Sequence, residues 1–267
     1  PAEGWKIALA EDLLCNTLDS NIPECPSPIR LSSVSALSAK YEAQRINISA
    51  SLVSTYTKEE VSTGNAASKR FRLSPMLGVS WLFHRNFRLR ASYKDGFRMP
   101  TFNDLYYARV GNVNLKPETA SQFNLGMTFT GSYDWGSADI TADAYYNFIK
   151  DKIVAVPTMF IWKMRNAGEV AMYGTDVTAS ILWRACEWLK IHALANYSLQ
   201  YALDVTDPDS KNYRHQIPYT PRHCGSGNLI LETKWLNLAY RMSASGRRYS
   251  NNQNNPANEI SAYADHS

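Results

Sequence analysis

Apolar and polar residues alternate along most of this chain with a period of two. In residues 121–129 the odd positions from Phe123 onward are apolar, and the even positions are polar or small. A period of two places alternate side chains on opposite faces of a β-strand. No amphipathic helical pattern separates these segments, so the pattern predicts an all-β chain whose strands have one apolar and one polar face.

The alternation predicts about twelve strands. Strands of about ten to fifteen residues exceed the length usual in soluble sheets, and they are long enough for a tilted strand to cross the core of a bilayer. The predicted strands lie near residues 4–12, 30–41, 45–57, 69–84, 87–95, 121–131, 137–151, 169–184, 187–203, 224–233, 235–246 and 258–267.

Short and long connections alternate between the predicted strands. The tight turns lie at 42–44, 84–86, 133–136, 185–187 and 233–234. The long connections lie at 13–29, 58–68, 96–120, 154–168, 204–223 and 247–257. This alternation collects each class at one end of an up-and-down antiparallel sheet, as in transmembrane β-barrels with short periplasmic and long extracellular connections. We therefore predict part of an antiparallel up-and-down transmembrane β-barrel.

The two faces of the predicted strands differ in the solvent that we expect them to meet. An ionised side chain costs a few kcal/mol in the middle of a bilayer, so the apolar face should meet lipid and the polar face the barrel lumen. We predict that Phe71, Leu77, Trp81, Leu125 and Phe129 face lipid. We predict that Arg72, Arg90, Asn124 and Asp143 face the lumen.

Composition agrees with a barrel and narrows the range of partners. A mean hydropathy of -0.35 suits a strand that shows only every second residue to lipid. Aromatic residues make up 12% of the 267 residues, which predicts aromatic girdles at the membrane interfaces and contact with outer-membrane lipid. The net charge of +4 comes from scattered basic residues, so no nucleic-acid partner is expected.

The four cysteines carry one structural prediction. Cys15 and Cys25 lie in one proline-rich predicted loop, which predicts a disulfide in an oxidising compartment. Two unpaired thiols are the alternative. No Cys-x-x-Cys pair or other metal-ligand spacing occurs, so neither a metal site nor a cofactor is predicted.

The sequence offers no catalytic constellation. No serine motif accompanies the five histidines, and Gly-Ser-Gly at 225–227 lacks the spacing of a nucleophile elbow. The alternation makes Asp139 and Asp143 lumen-lining charges instead of an acid–base pair. We therefore expect a protein that is not an enzyme.

Three motifs occur in order between residues 92 and 176. They are SYKDGFRMPTFNDLY at 92–106, GNVNLKPETA at 111–120 and NAGEVAMYGTD at 166–176. In this order they resemble the barrel of TonB-dependent outer-membrane receptors, including receptors for cobalamin and siderophores. Asp176 stands where the family usually has Glu, and the strand pattern extends the resemblance over the whole chain.

The resemblance implies an architecture larger than this chain. The family has a 22-stranded barrel, an N-terminal plug domain and a short box that contacts a TonB-type energy-transducing protein. The chain begins at Pro1 and ends partway through an alternating strand. We therefore expect residues 1–267 to be the C-terminal portion of such a barrel, with the plug and the box lying outside it.

The resemblance also implies a function. The expected protein takes up a scarce small-molecule nutrient across the Gram-negative outer membrane by energy-dependent transport. An iron chelate, haem or a cobalamin-like ligand would bind at its extracellular loops. A passive porin or an adhesin-type barrel without a plug is the alternative. A Bacteroidetes type of receptor and a surface lipoprotein partner are left open.

Candidate ligand residues lie in the long connections 96–120, 154–168 and 204–223. Aromatic and arginine side chains dominate binding hot spots, which selects Tyr106, Tyr107, Arg109, Phe160, Trp162, Tyr213 and His215. For 96–120 the other interpretation is architectural, in which the motif shapes how the chain leaves and re-enters the wall. For 154–168 it is packing against a neighbouring loop or a lipoprotein.

Overall fold

The structure, a computed structural model, describes residues 4–22, 25–157, 161–166 and 168–267. Within these residues one short α-helix, α1 (Phe102–Tyr106), and one short 3-10 helix (Pro256–Asn258) accompany the strands. The strands are β1 (Gly4–Thr17), β2 (Pro28–Glu42), β3 (Ile46–Val61), β4 (Arg70–His84), β5 (Phe87–Arg98), β6 (Glu118–Tyr133), β7 (Gly136–Lys150), β8 (Ile153–Pro157), β9 (Trp162–Asn166), β10 (Val170–Cys186), β11 (Leu189–Asp204), β12 (His223–Thr233), β13 (Asn237–Ser245), β14 (Arg248–Tyr249), β15 (Glu259–Ile260) and β16 (Tyr263–His266).

Twelve strands form one up-and-down antiparallel sheet, as predicted. Its order is β1-β2-β3-β4-β5-β6-β7-β10-β11-β12-β13-β16, so each main strand pairs with its neighbour in sequence. The pairs β8–β9 and β14–β15 form two small separate sheets. Short connections of a few residues alternate with long ones along this order, and the predicted all-β fold class is confirmed.

Several short elements in or beside the predicted long connections were missed. Helix α1 lies within 96–120, the β8–β9 hairpin spans 153–166, and the β14–β15 pair lies at 248–249 and 259–260. The strand β8 begins with the β-branched pair Ile153 and Val154, a signal that favours a strand. No helix among the described residues is long and apolar enough to span a bilayer.

All four cysteines are free, so the predicted disulfide between Cys15 and Cys25 is not formed. β1 is longer than predicted, so Cys15 lies in the strand, paired with Leu31 of β2. Cys25 lies before β2, where its thiol donates a hydrogen bond to the carbonyl oxygen of Tyr106 at 3.6 Å. The ladder holds Cys15 in the sheet while Cys25 packs against helix α1, and the two thiols have different surroundings.

The alternation of faces is visible along the wall. Phe71, Leu77 and Trp81 of β4 are exposed, whereas Arg72 on the other face donates a hydrogen bond to Asp95 at 2.7 Å. Phe129 is less exposed but belongs to a series of ring contacts with the exposed Phe83, whose ring lies 5.8 Å from that of Phe87. The Phe129 side chain is half-buried and its ring lies 4.9 Å from that of Phe87.

Contacts divide the chain into two compact units. Unit 1 comprises Pro1–Gly78, Ser92–Gln122 and Phe148–Val170. Unit 2 comprises Val79–Ala91, Phe123–Asn147 and Ala171–Ser267.

Within unit 2, a glycine lets an ion pair span three strands. Arg90 on β5 donates to Asp143 on β7 at 2.8 Å, and Gly126 lies on β6 between them. A Cβ atom at Gly126 would approach the Asp143 Oδ1 atom to 1.9 Å. The missing side chain is therefore what allows this pair to cross β6.

Tryptophan is concentrated at the short-connection ends of the strands. In unit 2 the rings of Tyr133 and Trp135 stack at 5.0 Å, and those of Trp188 and Trp235 lie 6.4 Å apart. In unit 1, Trp5 packs against Tyr41 at 5.1 Å. Amphipathic rings favour a membrane interface, so these turns have the chemistry of the predicted girdle.

Candidate ligand-recognition surface

The connection from β5 to β6 in unit 1 begins with a well-capped helix. The Thr101 hydroxyl accepts a hydrogen bond from the Asp104 amide at 3.1 Å, and the Asp104 carboxylate accepts one from the Thr101 amide at 2.8 Å. This reciprocal pair is a capping box. The motif at 92–106 therefore directs the chain out of strand β5 and into α1.

A buried ion network fixes this helix to the wall of unit 1. The Glu59 side chain is only 1% exposed, and its carboxylate lies 2.7 Å from a guanidinium nitrogen of Arg30. Arg70 approaches the same carboxylate at 3.3 Å. The two guanidinium groups also donate to loop carbonyls, Arg30 to Pro100 at 2.7 Å and Arg70 to Leu115 at 2.8 Å. The network thus connects strands β2, β3 and β4 to the loop.

Tyr106 belongs to this network, which corrects its selection as a ligand residue. It is 5% exposed; its hydroxyl donates to Glu59 and accepts a hydrogen bond from the Ala67 amide at 2.9 Å. Burial and the hydrogen bond to Glu59 raise the pKa of Tyr106 to about 12. With its ring packed inside the loop and its hydroxyl paired, Tyr106 has an architectural role.

Apolar packing completes what we call the first loop cluster, formed by residues 62–69, 99–117 and the β8–β9 hairpin. Its buried members are Ala67, Leu105, Tyr106, Leu115 and Ile153. A Cβ atom at Gly111 would lie 2.6 Å from the carbonyl oxygen of Leu105. Only a glycine allows the chain to pass so close to the helix.

Side chains from the motifs at 111–120 and 166–176 connect the β8–β9 hairpin to the rest of this cluster. Asn166 exchanges two hydrogen bonds of 2.8 Å with the backbone of Lys116. The Glu118 carboxylate accepts a hydrogen bond from the Ile153 amide at 2.7 Å and two from the Arg98 guanidinium. Residues that carried the family resemblance therefore hold the loops in place, which supports the architectural interpretation of the motif.

Three of the other candidates in unit 1 are exposed on this framework. Tyr107 follows α1 directly and is 44% exposed. Arg109 is exposed and adopts a left-handed backbone conformation with φ of 65°. Trp162 begins β9 and is 55% exposed, whereas Phe160 lies outside the described residues. An exposed ring or guanidinium on a packed base has the chemistry of a binding surface.

A second loop cluster, residues 205–222 and 246–262, lies in unit 2 and is held by amides. The Gln216 side chain accepts from the Ala202 amide and donates to the Thr220 carbonyl, both at 3.2 Å. The Asn254 side chain accepts from the Gln216 amide at 2.7 Å and donates to its carbonyl at 2.9 Å. Gln216, only 2% exposed, therefore joins the two loops to β11.

The two candidates in this second cluster differ in exposure. His215 is half-buried, and its Nδ1 atom lies 2.9 Å from the Asn252 carbonyl oxygen. Tyr213 is exposed and lies in the same loop. His215 therefore helps to join the loops, while Tyr213 has a free surface to offer.

Sequence reasoning missed the residues that organise both clusters. Arg30, Glu59 and Arg70 lie near the ends of three strands, where scattered charges gave no sign of a shared network. Gln216 and Asn254 lie in polar loops that read as solvated. The only available signal was position, since each of them lies beside a long connection.

A comparison with known proteins finds a matching family and a similar transporter. A family model for the TonB dependent receptor-like β-barrel matches residues 29–267. The vitamin B12 transporter BtuB of Vibrio vulnificus (strain YJ016) is 36% identical over 91 residues, which cover 33% of this chain and 14% of BtuB.

Solved structures share the fold at low sequence identity. The copper transporter OprC has a TM-score of 0.75 at 13% identity, over 98% of this chain and 45% of OprC. The siderophore receptor PiuA from Acinetobacter baumannii has a TM-score of 0.68 at 13% identity, over 91% of this chain and 36% of PiuA. The chain thus spans about a seventh of BtuB and less than half of each solved protein.

Proposed function

This chain belongs to the TonB-dependent receptor-like β-barrel family of the Gram-negative outer membrane, and we propose that it is the C-terminal portion of the barrel of a nutrient-uptake receptor. The family consists of receptors and transporters and not of enzymes. The complete receptor would bind a scarce small molecule at its extracellular loops. A TonB-type protein, acting through an N-terminal part outside residues 1–267, would supply the energy for uptake.

The exposed side chains of the first loop cluster carry this proposal. Tyr107, Arg109 and Trp162 project from loops that a buried ion network and an apolar cluster hold rigidly. Rings on a rigid base lose little conformational entropy on binding, and Arg adds directional hydrogen bonds to anionic groups. These residues suit a large ligand with aromatic or conjugated parts and acidic groups.

The ligand that we propose is an iron chelate, haem or a cobalamin-like molecule. BtuB is named for vitamin B12 and PiuA for a siderophore, and both classes combine a wide ring system or chelate with polar edges. Tyr213 and His215 are separate candidates for ligand contact within unit 2. A passive porin or an adhesin is not favoured, because the matching family is one of receptors.

A binding experiment with the full-length receptor tests the recognition surface. Cyanocobalamin, haemin, ferrichrome and ferric enterobactin would be titrated against the wild type by fluorescence quenching. For the ligand that binds, Tyr107→Ala, Arg109→Ala and Trp162→Ala should each weaken affinity by about 1 kcal/mol or more. The matched controls Arg85→Ala and Trp235→Ala, both in short turns, should bind like the wild type.

Two results would contradict this proposal. Unchanged affinity in all three loop variants would place recognition outside the first loop cluster. Uptake of the bound ligand that persists after the proton gradient is dissipated would instead exclude TonB-dependent energy coupling.

A surface lipoprotein is the competing partner for Trp162. Its ring would then be covered by protein and not by ligand, and Trp162→Ala would lower lipoprotein co-purification while ligand affinity stayed at the wild-type value. This outcome would assign the β8–β9 hairpin to a protein interface and leave Tyr107 and Arg109 as ligand residues.

A further inference from the structure

We propose that a basic cavity within the second loop cluster binds a phosphate group. The cavity has a volume of about 230 Å³, and its lining includes Gln216, Arg222, His223, Arg247, Arg248 and Tyr249. The residues that line this small space in unit 2 therefore include three arginines and a histidine. None of these four residues is a candidate for recognising the nutrient, and the proposal does not rest on the transport function.

The positive charge of this cavity is only weakly compensated by the described residues. Arg247 lies 4.0 Å from Glu259, at the limit of an ion pair. Arg222 lies over the ring of Tyr201 at 5.2 Å and Arg248 over the ring of Tyr263 at 5.4 Å. A stacked ring holds the guanidinium plane while its N–H groups at the edge stay available as donors.

One of these donors is buried without a partner. The Nη1 atom of Arg248 has no hydrogen-bond acceptor within the described part of the chain, although it is shielded from solvent. Buried polar atoms in proteins are nearly always hydrogen-bonded, and an unsatisfied charged donor is especially unfavourable. An anion bound by the Arg248 guanidinium would supply an acceptor for such a donor.

Backbone hydrogen bonds hold the walls of this cavity in place. The Gly246 amide donates to the His223 carbonyl and the Tyr219 amide to the Tyr249 carbonyl, both at 2.7 Å. Strand β14 adds a pairing of Arg248 with Ile260 of β15. A preformed site loses less entropy when it binds, so the arrangement is ready to receive a small group.

Size and charge together select a phosphate. Whole-ligand pockets usually have volumes of about 300–1,000 Å³, so this cavity suits a single group. Guanidinium groups match phosphate oxygens with paired hydrogen bonds. The phosphate has two sources of the same chemistry, an anionic lipid head group or free phosphate. The lining residue His223 contacts strand β11, because its Nδ1 atom lies 2.8 Å from the hydroxyl of the exposed Tyr197.

The test uses the full-length receptor in two arms. In a neutral detergent, inorganic phosphate is titrated and followed by line broadening in phosphorus NMR. In nanodiscs of equimolar phosphatidylcholine and phosphatidylglycerol, native mass spectrometry counts the phosphatidylglycerol that stays bound after release. The variant is Arg222→Gln with Arg248→Gln, and the control is Arg85→Gln, an exposed arginine in the β4–β5 turn.

The proposal expects the double variant to lose binding in one arm while the control keeps it. A loss of about tenfold or more in phosphate affinity identifies free phosphate, and a loss confined to retained phosphatidylglycerol identifies the lipid. Should the double variant fail to assemble, Arg247→Gln replaces it, since that side chain is mostly exposed. Equal binding by wild type and variant in both arms overturns the proposal.

Discussion

The two loop clusters are built by different chemistry, although both connect long strands of one sheet. The first cluster is centred on the buried carboxylate of Glu59, with Arg30, Arg70 and Tyr106 around it. The second is centred on the neutral amides of Gln216 and Asn254. Charges in the first cluster depend on one another, whereas each amide of the second pairs with uncharged backbone groups.

This difference determines how each cluster should respond to the loss of its central side chain. Removing one member of a buried ion network leaves the others charged and unpaired, which costs several kcal/mol. Removing a buried amide leaves neutral backbone groups without partners, which costs less. The first cluster should therefore be rigid but intolerant of substitution, and the second should tolerate change more gradually.

The largest expected effect is that of Glu59→Leu. Arg30 and Arg70 would remain charged beside an apolar side chain, and we expect a loss of about 3–5 kcal/mol in the free energy of unfolding. Thermal unfolding of the full-length receptor, followed by its heat-modifiable gel mobility, measures it. The control is Glu60→Leu. The Glu60 side chain is 65% exposed, so its replacement should change the free energy of unfolding little. Equal unfolding temperatures for the two variants would contradict the central role of Glu59.

A smaller effect is expected for Gln216→Leu in the second cluster. The Ala202 amide and the Thr220 carbonyl would lose their partners, which costs about 1–3 kcal/mol. Proteolysis of loop 205–222 should become faster while the first cluster stays resistant, and peptide mapping of the digested receptor shows which loop is cut. Gln253→Leu, at an exposed position, is the control. If Gln216→Leu lowered the free energy of unfolding as much as Glu59→Leu, the two clusters would not differ in the way proposed.

The smallest expected effect concerns the ionisation of Tyr106. Its pKa is raised from 10.0 to about 12, so the folded state favours the neutral hydroxyl. The resulting stabilisation is complete below pH 10 and is lost as the pH rises through 12. Absorbance titration of tyrosinate should show wild type and Tyr106→Phe alike up to about pH 11 and separating near pH 12. A difference that appears near pH 10 would mean that Tyr106 is not buried against Glu59.

Most of the wall was predictable from local sequence. The twelve main strands, their order and the positions of their tight turns follow from a period of two and from turn residues, and the structure confirms them. The elements missed were short ones in or beside long connections, namely α1, the β8–β9 hairpin and the β14–β15 pair. A segment of five residues gives too few repeats for either period to be recognised.

The exposure of the candidate residues was predictable only in part, and their role in binding stays a prediction. Tyr107, Arg109, Trp162 and Tyr213 are exposed as their selection required, but Tyr106 is buried. Tyr106 and Tyr107 are adjacent in sequence but differ in exposure. Tyr106 is the last residue of α1 and its hydroxyl donates to Glu59, whereas Tyr107 follows the helix. Residue type alone does not distinguish two adjacent tyrosines.

The sequence by itself determined which residues form strands, which face of each strand is apolar and which family the motifs resemble. These properties are local, since alternation and turn chemistry act over a few residues. Only the tertiary structure decided that Glu59 joins Arg30 and Arg70, that Cys15 and Cys25 have separate partners, and that three arginines line one cavity. Each of these depends on side chains from different strands or loops, and their meeting is set by register and packing.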